Sequence, residues 1–249
     1  LRPQDLGLLS GLGIRRLKVV RRPKAAIISI GNELVAANED PPPGCIREIN
    51  SHTLRALLAD LGAEATYLGL VPDEQKRLSE LVSQGLAEAD TVIVSGGSSM
   101  GADDWTLKTF LAFDEAELLI HGVSISPGKP VILVRAGSKS LWGLPGHVAG
   151  AYVAFHLFVR PLISQRLLGQ KNDPTRVVKA RLSRNLASAQ GREGWVRVRL
   201  EESGEGLSAA PVLGPSGLIS TLTRADGLIR VDLEAEGLLR DSLVDVYLF

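Results

Sequence analysis

Cysteine is almost missing from this chain. Cys45 stands alone among 249 residues, so no intrachain disulfide framework can form, and a reducing, cytoplasmic setting is expected. It lies in a Pro/Gly-rich loop with no histidine close in sequence, which reads as an ordinary thiol rather than a nucleophile. The four histidines and one cysteine make no metal-ligand spacing, and a zinc site is not expected. An excess of charge is missing too: 28 Lys and Arg face 28 Asp and Glu. That balance excludes the basic field that nucleic acid demands and the polybasic segment that a membrane surface attracts. There is no apolar run of transmembrane length, no signal-peptide pattern, no internal repeat and no low-complexity segment. Nor does the chain begin with methionine. It opens at Leu1, and sequence upstream of it is expected.

What is present is a soluble-enzyme pattern with one informative loop. Residues 93–104 read Ile-Val-Ser-Gly-Gly-Ser-Ser-Met-Gly-Ala-Asp-Asp. A short apolar strand over 91–94 stops abruptly at Ser95, Gly96 and Gly97. Small hydroxylated residues follow, and Asp103 and Asp104 precede a helical pattern from Trp105. Glycines there let backbone N–H groups approach a ligand, and a helix N-terminus favours an anion. The same residues also suit a plain strand-to-helix turn with an aspartate as N-cap. The loop alone leaves both readings open.

Residues 23–168 alternate strands with helices. Strands are expected over 25–30, 65–70, 91–94, 131–134 and 140–142, and helices over 51–61, 74–88, 105–112 and 148–168. Leu54, Leu57, Leu58 and Leu61 repeat at the spacing of a core-facing helix. Apolar strands between amphipathic helices predict an α/β fold, a mostly parallel sheet covered on both faces. Ligands in such sheets sit at the carboxyl ends of the strands, where Gly31–Glu33, Asp73 and the 95–104 loop fall. Residues 1–22 form a preamble with a short helix from Pro3 and a short strand over 17–20. Past 170–174 the pattern changes to short strands over 177–182, 195–200, 207–211, 227–231 and 243–248, which predict a small all-β barrel over 175–249.

Five ordered segments carry a resemblance. They are Arg21 to Leu34, ending Gly31-Asn32-Glu33-Leu34; Ile46 to Asn50, followed by Leu68-Gly69-Leu70-Val71-Pro72-Asp73; the 95–104 loop; His121-Gly122-Val123-Ser124-Ile125-Ser126-Pro127-Gly128-Lys129-Pro130; and Gly143-Leu144-Pro145-Gly146. In these the chain resembles the molybdopterin molybdenumtransferase family, the last step of molybdenum-cofactor biosynthesis. The resemblance implies a molybdopterin-binding α/β domain at 23–168, a C-terminal β-barrel at 175–249, and residues 1–22 as the tail of a longer N-terminal region. Gly191-Arg192, the 214–217 turn and 225–229 sit where similar barrel motifs lie.

The family reaction takes adenylylated molybdopterin, releases AMP and inserts molybdenum from molybdate. Carried over position by position, it implies Asp104, Asp73 and Glu33 as working acids, with Asp104 and Asp73 holding Mg2+. Ser95, Gly96, Gly97, Ser99 and Gly101 would cradle phosphate; Lys129, Pro145 and Gly146 would line the substrate. Asp104, Asp73 and Lys129 equally suit a helix cap, a helix start and a solvated lysine. A homodimer is implied, with small molecules as the partners, no nucleic acid and no membrane.

Four departures from the family pattern stand out. Asn32 replaces an Asp and Ser98 a Val. His147 replaces an Asn, where helix capping or packing is the plainer role, and Gly150 replaces a Ser whose hydroxyl the family uses for molybdate. The altered 146–150 segment, together with the short N-terminal region expected from the resemblance, leaves a second reading, a module that binds, delivers, stores or senses the cofactor without inserting metal. A third, an adenylyltransferase or a competence-damage type of pyrophosphatase or deamidase, is disfavoured by the C-terminal β-rich segment and the Pro-Gly-Lys-Pro motif.

Overall fold

The computed structural model describes residues 1–97, 105–169, 175–204 and 206–249. Six strands form one sheet: β1 Lys24–Ile30, β2 Glu64–Val71, β3 Thr91–Ser95, β4 Ala116–His121, β5 Ile132–Ala136 and β6 Lys139–Leu144. Their order is β2-β1-β3-β6-β5-β4. Neighbours from β2 to β6 run parallel, and only β5 is reversed, so the sheet is mostly parallel as expected. Every residue of β3 is buried, as is β1 beyond Lys24, as a strand covered on both faces requires.

The period-two alternation of these strands sorts their side chains into two layers. Ala26, Ile28, Ile30, Val92 and Val94 pack with Leu78, Leu81 and Val82 of the helix Gln75–Glu88 and with Phe110 of the helix Trp105–Leu111. Ala25, Ile27 and Ile93 face the other way. They pack with Leu54 and Leu58 of the helix Asn50–Asp60 and with Phe155, Val159 and Ile163 of the helix that begins at Val148. That last helix is α-helical over Val148–Ala154 and passes into wider π turns over Phe155–Val159 and Leu162–Leu167. Pro161 lies between those turns; having no N–H, it cannot continue an ordinary helical ladder.

Two expectations change. The edge strand β4 was not anticipated. The strand expected over 17–20 is absent: residues 14–23 form no regular element, and Leu17, Val19 and Val20 are exposed. The preamble does contain the helix Pro3–Gly11, which buries none of its residues.

The C-terminal strands β7 Val177–Leu182, β8 Glu193–Ser203, β9 Gly206–Pro211, β10 Gly227–Val231 and β11 Leu243–Leu248 close into a five-stranded barrel. The order runs β9-β7-β11-β10-β8, and β8 pairs back onto β9. Leu182, Val198, Ala209, Ile229 and Val246 fill its interior. A two-residue strand from the first part of the chain, Ile125–Ser126, adds to the barrel in parallel with Glu193 and Gly194. Ile125 and Val153 then pack with Trp195 and Leu228, and this cluster joins the two layers of architecture.

Candidate active site

β1, β2 and β3 are parallel, so Ile30, Val71 and Ser95 all end at one edge of the sheet. The barrel stands opposite that edge. A cavity of about 1160 Å3 lies between them, lined by Glu33, Asp73, Ser95, Lys129, Arg192 and Arg197 among others. The position is the one an open α/β sheet offers a ligand.

Residues after β3 turn sharply. Gly96 has φ +95°, and its N–H donates to the Leu144 carbonyl at 3.0 Å. A β-carbon there would lie 2.2 Å from the Ile30 carbonyl oxygen. Only glycine follows this path, which brings backbone rather than side chain to the cavity wall. Ser99, Gly101 and Asp104 lie outside the described residues.

At the end of β1, Glu33 is exposed, and its carboxylate folds back over Gly31, where a β-carbon would meet Oε2 at 2.8 Å. Asn32 and Asp73 are tied reciprocally: the Asn32 N–H donates to Asp73 Oδ2 at 3.3 Å, and the Asp73 N–H donates to Asn32 Oδ1 at 3.1 Å. The substitution at position 32 therefore keeps the acceptor that holds Asp73 in place. Glu33 and Asp73 both line the cavity. No cluster of three or more His, Cys, Asp or Glu able to hold a metal occurs among the described residues.

Beneath this rim lies a polar floor. Asn50, only 7% exposed, donates from Nδ2 to Ser95 Oγ and to the Gly146 carbonyl, both at 2.8 Å. Glu48 is 4% exposed and accepts the Ser51 N–H at 2.7 Å, besides the Ser51 hydroxyl. That carboxylate satisfies a free amide in the first turn of the helix Asn50–Asp60.

The 127–130 turn lines the cavity as well. The Lys129 carbonyl accepts N–H bonds from Val123 and Val131, each at 2.9 Å, which fixes the backbone that carries the lysine. Gly150 is buried behind it; a β-carbon there would touch Pro145 Cβ at 3.1 Å. Pro145 is buried and Gly146 exposed at the cavity. His147 starts the helix Val148–Ala154 but makes no side-chain cap. Its Nδ1 instead pairs with Ser216 Oγ of the barrel at 2.8 Å, and the Ser216 carbonyl accepts the Ala149 N–H at 2.9 Å. The capping expected of His147 is thus supplied by a barrel loop.

From the barrel, Arg197 is 7% exposed and donates from Nη2 to the Gly214 carbonyl at 2.9 Å. Burial pushes its guanidinium pKa below the ordinary value. Trp195 donates from Nε1 to Glu193 Oε1 at 2.7 Å, and its ring meets Tyr247 edge-on at 5.3 Å. Sequence reasoning assigned no role to Asn50, Glu48, Trp195 or Arg197. The segments around Asn50 and Gly191-Arg192 were the only signals that pointed near them.

A family model described as a probable molybdopterin binding domain matches residues 26–165. A second, described as the MoeA C-terminal region (domain IV), matches residues 179–249. The chain belongs to the MoeA family. Molybdopterin molybdenumtransferase 1 of Mycobacterium tuberculosis is 32% identical over 250 residues, covering 97% of this chain and 58% of that protein. The molybdopterin molybdenumtransferase of Staphylococcus epidermidis is 27% identical over 244 residues, covering 98% and 58%. The crystal structure of the molybdopterin biosynthesis MoeA protein from Pyrococcus horikosii superposes with a TM-score of 0.87 at 33% identity, covering all of this chain and 60% of that one. This member of the MoeA family thus spans less than two thirds of the length of those relatives. Both of its matched regions contribute walls to the cavity.

Proposed function

We propose that this chain is the molybdopterin-binding and metal-inserting part of a molybdopterin molybdenumtransferase, organised as an α/β domain over 23–168 and a barrel over 175–249. It binds adenylylated molybdopterin in the cavity between sheet and barrel, releases AMP and takes molybdenum from molybdate into the dithiolene. The observation that carries this reading is the make-up of that cavity: the carboxylates Glu33 and Asp73, a glycine turn at the end of β3, and the cations Lys129, Arg192 and Arg197 in one lining.

The roles follow from the chemistry of a phosphoanhydride. Ser95, Gly96 and Gly97, with Ser99 and Gly101, cradle the phosphate. Lys129 and the barrel arginines offset its charge, and Pro145 and Gly146 shape the wall beside it. Glu33 and Asp73 orient a water or the leaving group, and Asp104 completes the acids. Mg2+ is held by one or two carboxylates together with substrate phosphates and water; Asp73, which lines the cavity, would supply one of them and Asp104 the other. When bound, the ion offsets charge on the phosphoanhydride. We place the protein in the cytoplasm as a homodimer. Among the described residues, no helix is long and apolar enough to cross a membrane.

One observation supports a second reading, a cofactor-binding module. Gly150 carries no side chain, so the hydroxyl that the resemblance expects for molybdate has no counterpart there, and a β-carbon at this position would press on Pro145 Cβ at 3.1 Å. AMP release from adenylylated molybdopterin, with Mg2+ and molybdate, decides between the two. The transferase reading expects molybdate-dependent release that falls at least about 100-fold in Asp104→Ala, the scale of losing a group that acts on the reacting centre. Tight pterin binding without release points to the module.

A further inference from the structure

The side-chain amide of Asn50 has only one orientation open to it. Its Nδ2 lies 2.8 Å from the Gly146 carbonyl oxygen, which can only accept. A flipped amide would set two acceptors against each other. With the nitrogen placed, the second amide proton goes to Ser95 Oγ at 2.8 Å. Both protons are then used, and Asn50 Oδ1 is left buried without a partner among the described residues.

The consequence falls on Ser95, itself 2% exposed and part of the cavity wall. A hydroxyl has one proton and two lone pairs. Because its oxygen accepts from Asn50, its proton is free to be given elsewhere, and no described residue takes it. We propose that Asn50 is a positioning residue that makes the Ser95 hydroxyl an obligate donor, so that the floor of the cavity receives the oxyanion end of the substrate. This rests on the reading of the cavity as a site for a phosphorylated pterin.

A double-mutant cycle on the whole chain tests it, with the Kd of adenylylated molybdopterin as readout. In Asn50→Asp a carboxylate accepts from Ser95 and turns the hydroxyl proton away from the cavity. The isosteric change is expected to weaken binding about 10- to 100-fold, the range of a hydrogen bond to a charged group. Ser95→Ala is expected to cost a similar factor. Asn50→Ala, which frees the hydroxyl without reversing it and adds no charge, should show a smaller loss and closes the cycle: added to Ser95→Ala it should cost no more than Ser95→Ala alone. A further loss when Asn50→Ala is added to Ser95→Ala would overturn the proposal and leave the functional reading standing. A wild-type chain that binds no adenylylated molybdopterin would sink both.

Discussion

A methyl group at position 96 would meet the backbone oxygen of Ile30 at 2.2 Å, on a chain already at φ +95°. Neither partner is a flexible side-chain end, so the turn itself must move. Gly96→Ala is therefore expected to lower stability by more than about 1 kcal/mol and to displace Ser95 from Asn50. A urea midpoint equal to that of the wild type would show that the turn relaxes freely. The partnership of Asn50 with Ser95 belongs to this scale as well. One amide there sets the direction of one proton, and that proton decides which end of a ligand faces the floor.

Elements were legible where their patterns were regular. The apolar runs of β1 and β3 and the leucines of the helix Asn50–Asp60 were readable from spacing alone. Edge strand β4 was not, because its pairing with β5 shifts register between Leu118 and Ile120, which breaks the alternation a strand shows in sequence. Residues 17–20 mislead in the opposite sense: they are apolar enough for a strand but pair with no strand among the described residues. Of the residues that line the cavity, those in contiguous motifs, Ser95–Gly97 and Lys129, were legible. Asn50 was not, since its two bonds span 45 and 96 residues of chain and exist only once the elements are in place.

The preamble is nonetheless tethered through Arg21. Arg21 pairs through two nitrogens with the Asp90 carboxylate at 2.7 and 2.5 Å, and the Lys24 N–H donates to it at 2.8 Å. The guanidinium holds the Asp90 carboxyl below its ordinary value. A depressed carboxyl gives stability that is full above an unfolded pKa of about 4 and is lost as pH falls through the folded value. Asp90→Asn should cost about 1 kcal/mol or less at pH 7 and flatten the fall of stability below pH 4. Urea midpoints at pH 7, 4 and 3 measure both; an unchanged slope would remove Asp90 from the acid response.

At the scale of the molecule, the seam between sheet and barrel is packed rather than merely touching. Val153 is fully buried, and Ile125, Trp195 and Leu228 close around it. Far-UV circular dichroism and tryptophan emission are expected to report one coincident thermal transition. Val153→Ala leaves a void at the seam, costs about 2 kcal/mol and should pull the two traces apart. Two transitions in the wild-type chain would mean that the halves fold independently.

The Ile125–Ser126 strand has a consequence in time. The ribosome delivers it well before Glu193 and Gly194, the residues it pairs with, and domains form from the N-terminal side as the chain emerges. On that order a short stretch of partner backbone would be in place before β8 appears. The barrel would then close against a template, and the cleft would take shape together with its second wall.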